Sequence, residues 1–192
     1  MLDTPGHVQF SDEAFSAMRV SDGIILVVDA AEGITFESMY EIVIRQALKE
    51  GLGIVLCLSK MDRLIVEQRL PPRSCYSKIS FIITQLNTII HNQAISLYKD
   101  TPAYIRGAGL PPSGVPHPIL SPVLGNVIFC SSAHEYMFTL PSFLSFYQDH
   151  NSAAAQTSLD DLVQRMWGEW YYEAATSTIT RERGMASLNF LL

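Results

Sequence analysis

Gly23-Ile24-Ile25-Leu26-Val27-Val28-Asp29, answered by Gly53-Ile54-Val55-Leu56-Cys57-Leu58, is the pair of segments that decides the fold. Each is apolar at every position but its ends, and each opens on glycine. Continuous runs of this kind belong to strands buried on both faces, the mark of a parallel sheet. Between them lies a stretch with helical character. Ser38 and Glu41 have the spacing of a capping box, the helix is expected over Met39 to Glu50, and Gly51 stops it. Strand, helix and strand at this spacing make a right-handed βαβ unit.

Outward from this unit the punctuation is clear. Ser11 is placed to cap a short helix from Asp12 to Arg19, with Asp12 and Glu13 favourable against its dipole. After Leu70-Pro71-Pro72, Ile79, Ile82, Ile83, Leu86, Ile89 and Ile90 recur at helical spacing, which predicts a long helix from Ser74 to Asn92. Residues 100–122 carry six of the prolines and three of the glycines and read as a flexible insert. Gly125 to Cys130 is a third strand. Beyond it a helix is expected to end near Tyr147, another spans Leu159 to Met166, and short strands are expected around Trp167 to Tyr172 and Ser177 to Thr180. Leu188 to Leu192 begins a further element.

Composition limits the function classes. The chain has 192 residues, is 48% hydrophobic and 17% charged, and carries a net charge of -6, so it is globular and offers no broad phosphate-binding surface. Direct DNA binding is not expected. No apolar run reaches the length of a membrane span, and no membrane association is expected. Cys57, Cys75 and Cys130 lack metal-ligand spacing and read as reduced, buried thiols of an intracellular protein. Trp167, Trp170, Tyr171 and Tyr172 could stack RNA bases, but in an acidic chain a packed core is the favoured reading.

Three loops carry the chemistry. Asp3-Thr4-Pro5-Gly6-His7 joins a carboxylate, a proline-set turn, a glycine open to close approach and an imidazole. Ser59-Lys60-Met61-Asp62 stands at the carboxyl end of the second strand, where open α/β sheets bind ligands. A carboxylate there can accept both N1–H and the 2-amino group of guanine, a pair that adenine does not offer. Ser131-Ser132-Ala133 follows the third strand and reads equally as a plain turn or as backbone donors to a guanine oxygen.

In this order, the three loops resemble the motifs of translational-type GTPases of the elongation factor 2 group. The fold implied is α/β: a partial G domain of the P-loop-NTPase type, with a parallel sheet and helices on both faces. Residues 1–134 would be the carboxyl-terminal part of the GTP-binding domain and 135–192 the start of an inserted α+β subdomain. Asp62-Arg63-Leu64, Pro122-Val123-Leu124-Gly125, Phe138-Thr139-Leu140 and Trp167-Gly168-Glu169 extend the likeness along the chain. Leu70-Pro71-Pro72, Leu124-Gly125-Asn126-Val127 and Ser131-Ser132 are most similar to the spliceosomal branch of the group, which belongs to the U5 small nuclear ribonucleoprotein. The ribosomal translocase branch is the second reading, and a nucleotide-free interaction module or a non-functional truncation product are the others.

The resemblance implies GTP and Mg2+ as ligands. Asp3 would reach the metal through water, the Gly6 N–H would meet the γ-phosphate and His7 would position the attacking water. Ser59, Lys60, Asp62, Ser131, Ser132 and Ala133 would surround the base. Nuclear action with spliceosomal proteins and small nuclear RNA is implied, against ribosome and cytoplasm for the second reading. Two departures matter. Ser59 stands where the family has asparagine, which implies a weaker hold on guanine. No Gly-x-x-x-x-Gly-Lys-Ser/Thr run occurs, so the loop that cradles phosphates and the switch I threonine are absent, and the chain reads as a truncated fragment that is expected to be inactive alone. The outer edge of the first strand is therefore expected to be bare.

Overall fold

The computed structural model describes residues 1–35, 37–100, 117–150, 159–168, 170–173, 178–180 and 187–189. Its centre is a four-stranded sheet in the order β1-β2-β3-β4. Strands β1 (Gly23–Asp29), β2 (Gly53–Ser59) and β3 (Val127–Ser131) are parallel, and β4 (Tyr136–Thr139) returns antiparallel to β3. The β1–β2 register is in step from Gly23 opposite Gly53 to Asp29 opposite Ser59, so the two strands end together. Within the described residues β1 is an outer strand with β2 on one side only.

Helix α1 (Ser11–Met18) follows a 3-10 turn over Val8–Phe10. Ser11 is the first helical residue and not its cap, and no side chain caps this end. Helix α2 (Glu37–Lys49) likewise begins one residue before Ser38, which removes Ser38 from the capping position. Its other end is as the sequence suggests. Leu52 N–H bonds Ala47 C=O at 2.9 Å and Gly51 N–H bonds Leu48 C=O at 3.3 Å, with Gly51 at φ 70°. Those two bonds form a Schellman stop, which needs a left-handed residue at the glycine's place.

Helices α2 and α4 (Pro72–Asp100) pack on one face of the sheet. Leu26, Val28, Ile54, Leu56, Leu58, Val127 and Phe129 from the strands meet Ile44 and Ala47 of α2 and Ile79, Ile82, Ile83, Leu86, Ile89 and Ile90 of α4. Helix α4 runs eight residues past the expected end at Asn92 because its apolar stripe continues, with Ala94 buried. Asn87 closes the return of the chain. Its amide donates to Leu120 C=O and accepts from Leu120 N–H, each at 2.8 Å. Residues 101–116, the larger part of the expected flexible insert, lie outside the described residues, whereas Pro122 is buried in a 3-10 turn over Pro122–Leu124.

On the opposite face, among the described residues, Ile25 and Val27 of β1 are 53% and 60% exposed, because alternate side chains of a strand point to opposite faces and α2 and α4 meet only one of them. The sheet is also mixed, since Tyr136 to Thr139, just ahead of the helix expected to end near Tyr147, pairs antiparallel with β3. These residues, counted with the second unit in the sequence, extend the first unit's sheet. Helix α5 (Leu140–His150) and α6 (Leu159–Met166) then form a second cluster around Leu140, Leu144 and Val163. Trp167 touches both clusters and packs against Tyr76 and Phe129, so its ring is committed to the interior. Strand β5 (Tyr171–Glu173) pairs antiparallel with β6 (Thr178–Thr180) and with β7 (Ser187–Asn189), the last being the element foreseen near Leu188.

Candidate functional site

The carboxyl ends of β1, β2 and β3 meet at one end of the sheet, and every bond that fixes the site is made there. Asp29 closes β1. Its Oδ1 accepts the N–H groups of Ala31 at 2.8 Å and Glu32 at 3.2 Å, and its Oδ2 faces Lys60 Nζ at 2.9 Å and Arg63 at 3.1 Å. Burial raises the pKa of this carboxyl, but the Lys60 bond, the two N–H groups and the Lys60 charge together leave it below the ordinary value. Arg63 also pairs with Glu32 and Glu67, and Lys78 donates to Ala31 C=O, so the loop after β1 is tied from two helices.

Lys60 lies at φ 56°, a left-handed conformation that breaks β2 and turns the chain into α3 (Met61–Val66). That turn sets Asp62 opposite the end of β3. Ser131, 1% exposed, donates its hydroxyl to Asp62 Oδ1 at 2.5 Å and accepts the His134 N–H at 3.3 Å. Among the described residues Asp62 Oδ2 has no partner. A carboxylate with one oxygen anchored and the other open is oriented without being used up. The anchored oxygen retains a lone pair as well, so both can face the two N–H donors of guanine. Tyr136 of β4 stands near enough for the Asp62 charge, together with burial, to raise its phenol pKa.

Ser59 is differently engaged. Its hydroxyl donates to Val28 C=O at 3.1 Å while its own carbonyl accepts Ala30 N–H at 2.9 Å. It stitches β2 to the end of β1. Ser132 and Ala133 are exposed in the turn from 132 to 135, with backbone open to a ligand.

The first loop is a separate matter. Asp3, Gly6 and His7 are exposed. His7 accepts the Gln9 N–H at Nδ1, 3.3 Å away, and its carbonyl accepts the Phe10 N–H at 2.9 Å. No hydrogen bond or ion pair joins Asp3 or His7 to Ser59, Lys60, Asp62 or Ser131 among the described residues. A Cβ placed on Gly6 would meet nothing within 4 Å, so no contact among the described residues calls for glycine there. The structure thus brings together Lys60, Asp62 and Ser131, and leaves Asp3, Gly6 and His7 apart from them.

The donor set fits a guanine base and not a self-contained magnesium site. Among the described residues no three His, Cys, Asp or Glu side chains cluster, and Asp3 is a single exposed carboxylate. Asp29 and Arg63, which brace these loops, stand in none of the motifs of the first loop, the Ser59 loop or the Ser131 turn as read from the sequence. The available signal was position alone: an acid closing a buried strand beside the strand that carries Lys60.

Comparison with known proteins shows the family. Residues 1–164 match the model of the elongation factor Tu GTP binding domain. The chain is 36% identical over 181 residues to the 110 kDa U5 small nuclear ribonucleoprotein component CLO of Arabidopsis thaliana, covering 94% of this chain and 16% of the relative. It is 35% identical over 181 residues to the pre-mRNA-splicing factor cwf10 of Schizosaccharomyces pombe, again over 94% of this chain and 16% of the relative. With the pre-mRNA-splicing factor SNU114 of Saccharomyces cerevisiae it shares 32% identity over 171 residues, 89% of this chain and 14% of the relative. The chain thus spans about a sixth of the length of these relatives. The strand-end loops, their order and the match over residues 1–164 make this chain a member of the elongation factor Tu GTP-binding-domain family.

Proposed function

We propose that this chain is the guanine-reading part of a GTP-binding protein that acts in pre-mRNA splicing within the U5 small nuclear ribonucleoprotein. The observation that carries the reading is the Ser131–Asp62 bond, which holds a carboxylate at the sheet's binding end with one oxygen open. Asp62 accepts guanine N1–H and the 2-amino group, and the Lys60 stem flanks the base with its ammonium anchored on Asp29. Backbone N–H groups of Ser132 and Ala133 face the guanine oxygen. The names borne by the relatives support splicing over ribosomal translocation, and with it nuclear action beside spliceosomal proteins and small nuclear RNA.

GTP hydrolysis in the full-length protein is the corresponding reaction. His7 is the residue placed to orient a water, with Gly6 N–H toward the γ-phosphate and Asp3 toward a magnesium-bound water. Magnesium, when bound with GTP, neutralises phosphate charge. Its site calls for groups beyond the single carboxylate this chain offers.

The test is base preference in the full-length protein. Asp62→Asn weakens GTP binding by about 2–4 kcal/mol, the range for removing a charged partner from a hydrogen-bonded pair. It improves binding of xanthosine triphosphate, whose altered ring edge suits an amide. Unchanged GTP affinity in Asp62→Asn removes Asp62 from the site and the guanine reading with it.

A further inference from the structure

Cys57 of β2 and Cys130 of β3 are half-buried on the face of the sheet that α2 and α4 leave uncovered, with their sulfurs 3.4 Å apart. Leu56, Leu58, Val127 and Phe129, their chain neighbours, all point the other way into the core. The two cysteines sit just below the site. Cys130 immediately precedes Ser131, and Cys57 is two residues before Ser59. Nothing in the guanine-reading arrangement uses either thiol.

We propose that Cys57 and Cys130 form an oxidisable dithiol that a hydroperoxide closes to a reversible disulfide, tying β2 to β3 directly beneath the Asp62–Ser131 bond. The Cys130 sulfur, as thiolate, attacks the outer oxygen of the peroxide. The O–O bond breaks, the alcohol or water leaves with a proton, and Cys130 becomes a sulfenic acid. The Cys57 sulfur then attacks Cys130, the S–O bond breaks, and water leaves carrying the Cys57 proton. In sum, two thiols lose two hydrogens and one peroxide is reduced to an alcohol and water. Burial and the adjacent Cys130 sulfur push the Cys57 pKa up to about 12, and the balance is the same if the two sulfurs exchange roles.

A bond of about 2.05 Å must replace the 3.4 Å contact, so the ends of β2 and β3 are drawn together or twisted where the side chains cannot absorb the change. The segment most affected holds Ser131. Thiol–disulfide exchange with an added thiol reopens such a bond. The consequence for nucleotide rests on the guanine-reading proposal; the chemistry of the pair does not.

The experiment treats the chain, and separately the full-length protein, with hydrogen peroxide and then with dithiothreitol. Peptide mapping without reduction is expected to show a Cys57–Cys130 linked peptide and a mass lower by two hydrogens, both reversed by dithiothreitol. Cys75 is expected to remain a thiol. Cys57→Ser and Cys130→Ser each abolish the linked peptide, whereas Cys75→Ser leaves it intact and guards against misfolding of the other two. In the full-length protein, oxidation weakens GTP binding roughly tenfold or more, the equivalent of one charge-assisted hydrogen bond, and Cys57→Ser is insensitive. A linked peptide that never forms, or forms only between two chains, overturns the dithiol. A linked peptide without change in GTP affinity overturns its coupling to the site. A full-length protein that binds no guanine nucleotide in either state instead removes the functional proposal and leaves the dithiol standing.

Discussion

Two loops that the sequence presents as parts of one site are held in opposite ways. Ser59 to Asp62 and Ser131 are fixed by Asp29, Val28 C=O and one another at the ends of three parallel strands. Asp3 to His7 is exposed, and among the described residues its imidazole and carbonyl bond to residues two and three further on. Residues that select a base need a fixed geometry before the ligand arrives, since rigid placement is what separates guanine from adenine. Residues that sense a phosphate gain their geometry from the ligand. This chain fixes the base-facing half of the proposed site with its own bonds, and among the described residues leaves the phosphate-facing half exposed.

The largest expected effect comes from loosening the sheet that carries the second loop. Leu86 of α4 is fully buried against the strands, and Leu86→Ala is expected to cost about 2–5 kcal/mol by thermal or denaturant unfolding. His7→Ala is expected to change stability by no more than about 0.5 kcal/mol. Equal losses in the two variants would mean that the amino-terminal loop is as embedded as the core.

Ser131→Ala is next in size. It leaves Asp62 Oδ1 without its buried donor and costs about 1–3 kcal/mol in stability, while the full-length protein loses guanine discrimination. A stable Ser131→Ala variant with unaltered GTP preference would show that Asp62 orients itself.

A smaller effect is set by pH. The folded Asp29 carboxyl titrates below its ordinary value of 3.8, so the folded state favours the charged form. Its contribution to stability is complete above the unfolded pKa and is lost as pH falls through the lower, folded one. Asp29→Asn is therefore less stable than the parent at neutral pH, and the gap narrows below about pH 4. A gap that widens on acidification would mean that the Lys60 contact is not the dominant stabiliser.

Much of this arrangement was legible in the sequence. The apolar runs of β1 and β2 and the isoleucine stripe of α4 declare themselves because burial dictates composition at every turn. Lys60, Asp62 and the Ser131 turn were legible because strand ends are where ligands bind. Three things were not. Tyr136 to Thr139 is too short for alternation to separate a strand from a helix approach, and only pairing with β3 decides it. Ser38 and Ser11 have capping chemistry, yet the helices start earlier, since tertiary packing fixes a helix end as much as its cap does. Asp29 has no motif of its own. Its importance is a matter of four partners that converge from α3, from β2's end and from its own loop, none of which local sequence displays.

In the proposed site this chain supplies the base-reading end and not the phosphate-holding end. Calorimetric titration of the 192-residue chain with guanosine, and with GTP plus magnesium, separates the two ends. Both ligands are expected to bind only at about millimolar concentration or weaker, and with similar affinity, because the phosphates find no cradle. Micromolar GTP binding by the chain, far tighter than guanosine, would mean that residues of this chain hold the phosphates and that the proposed division of the site is wrong.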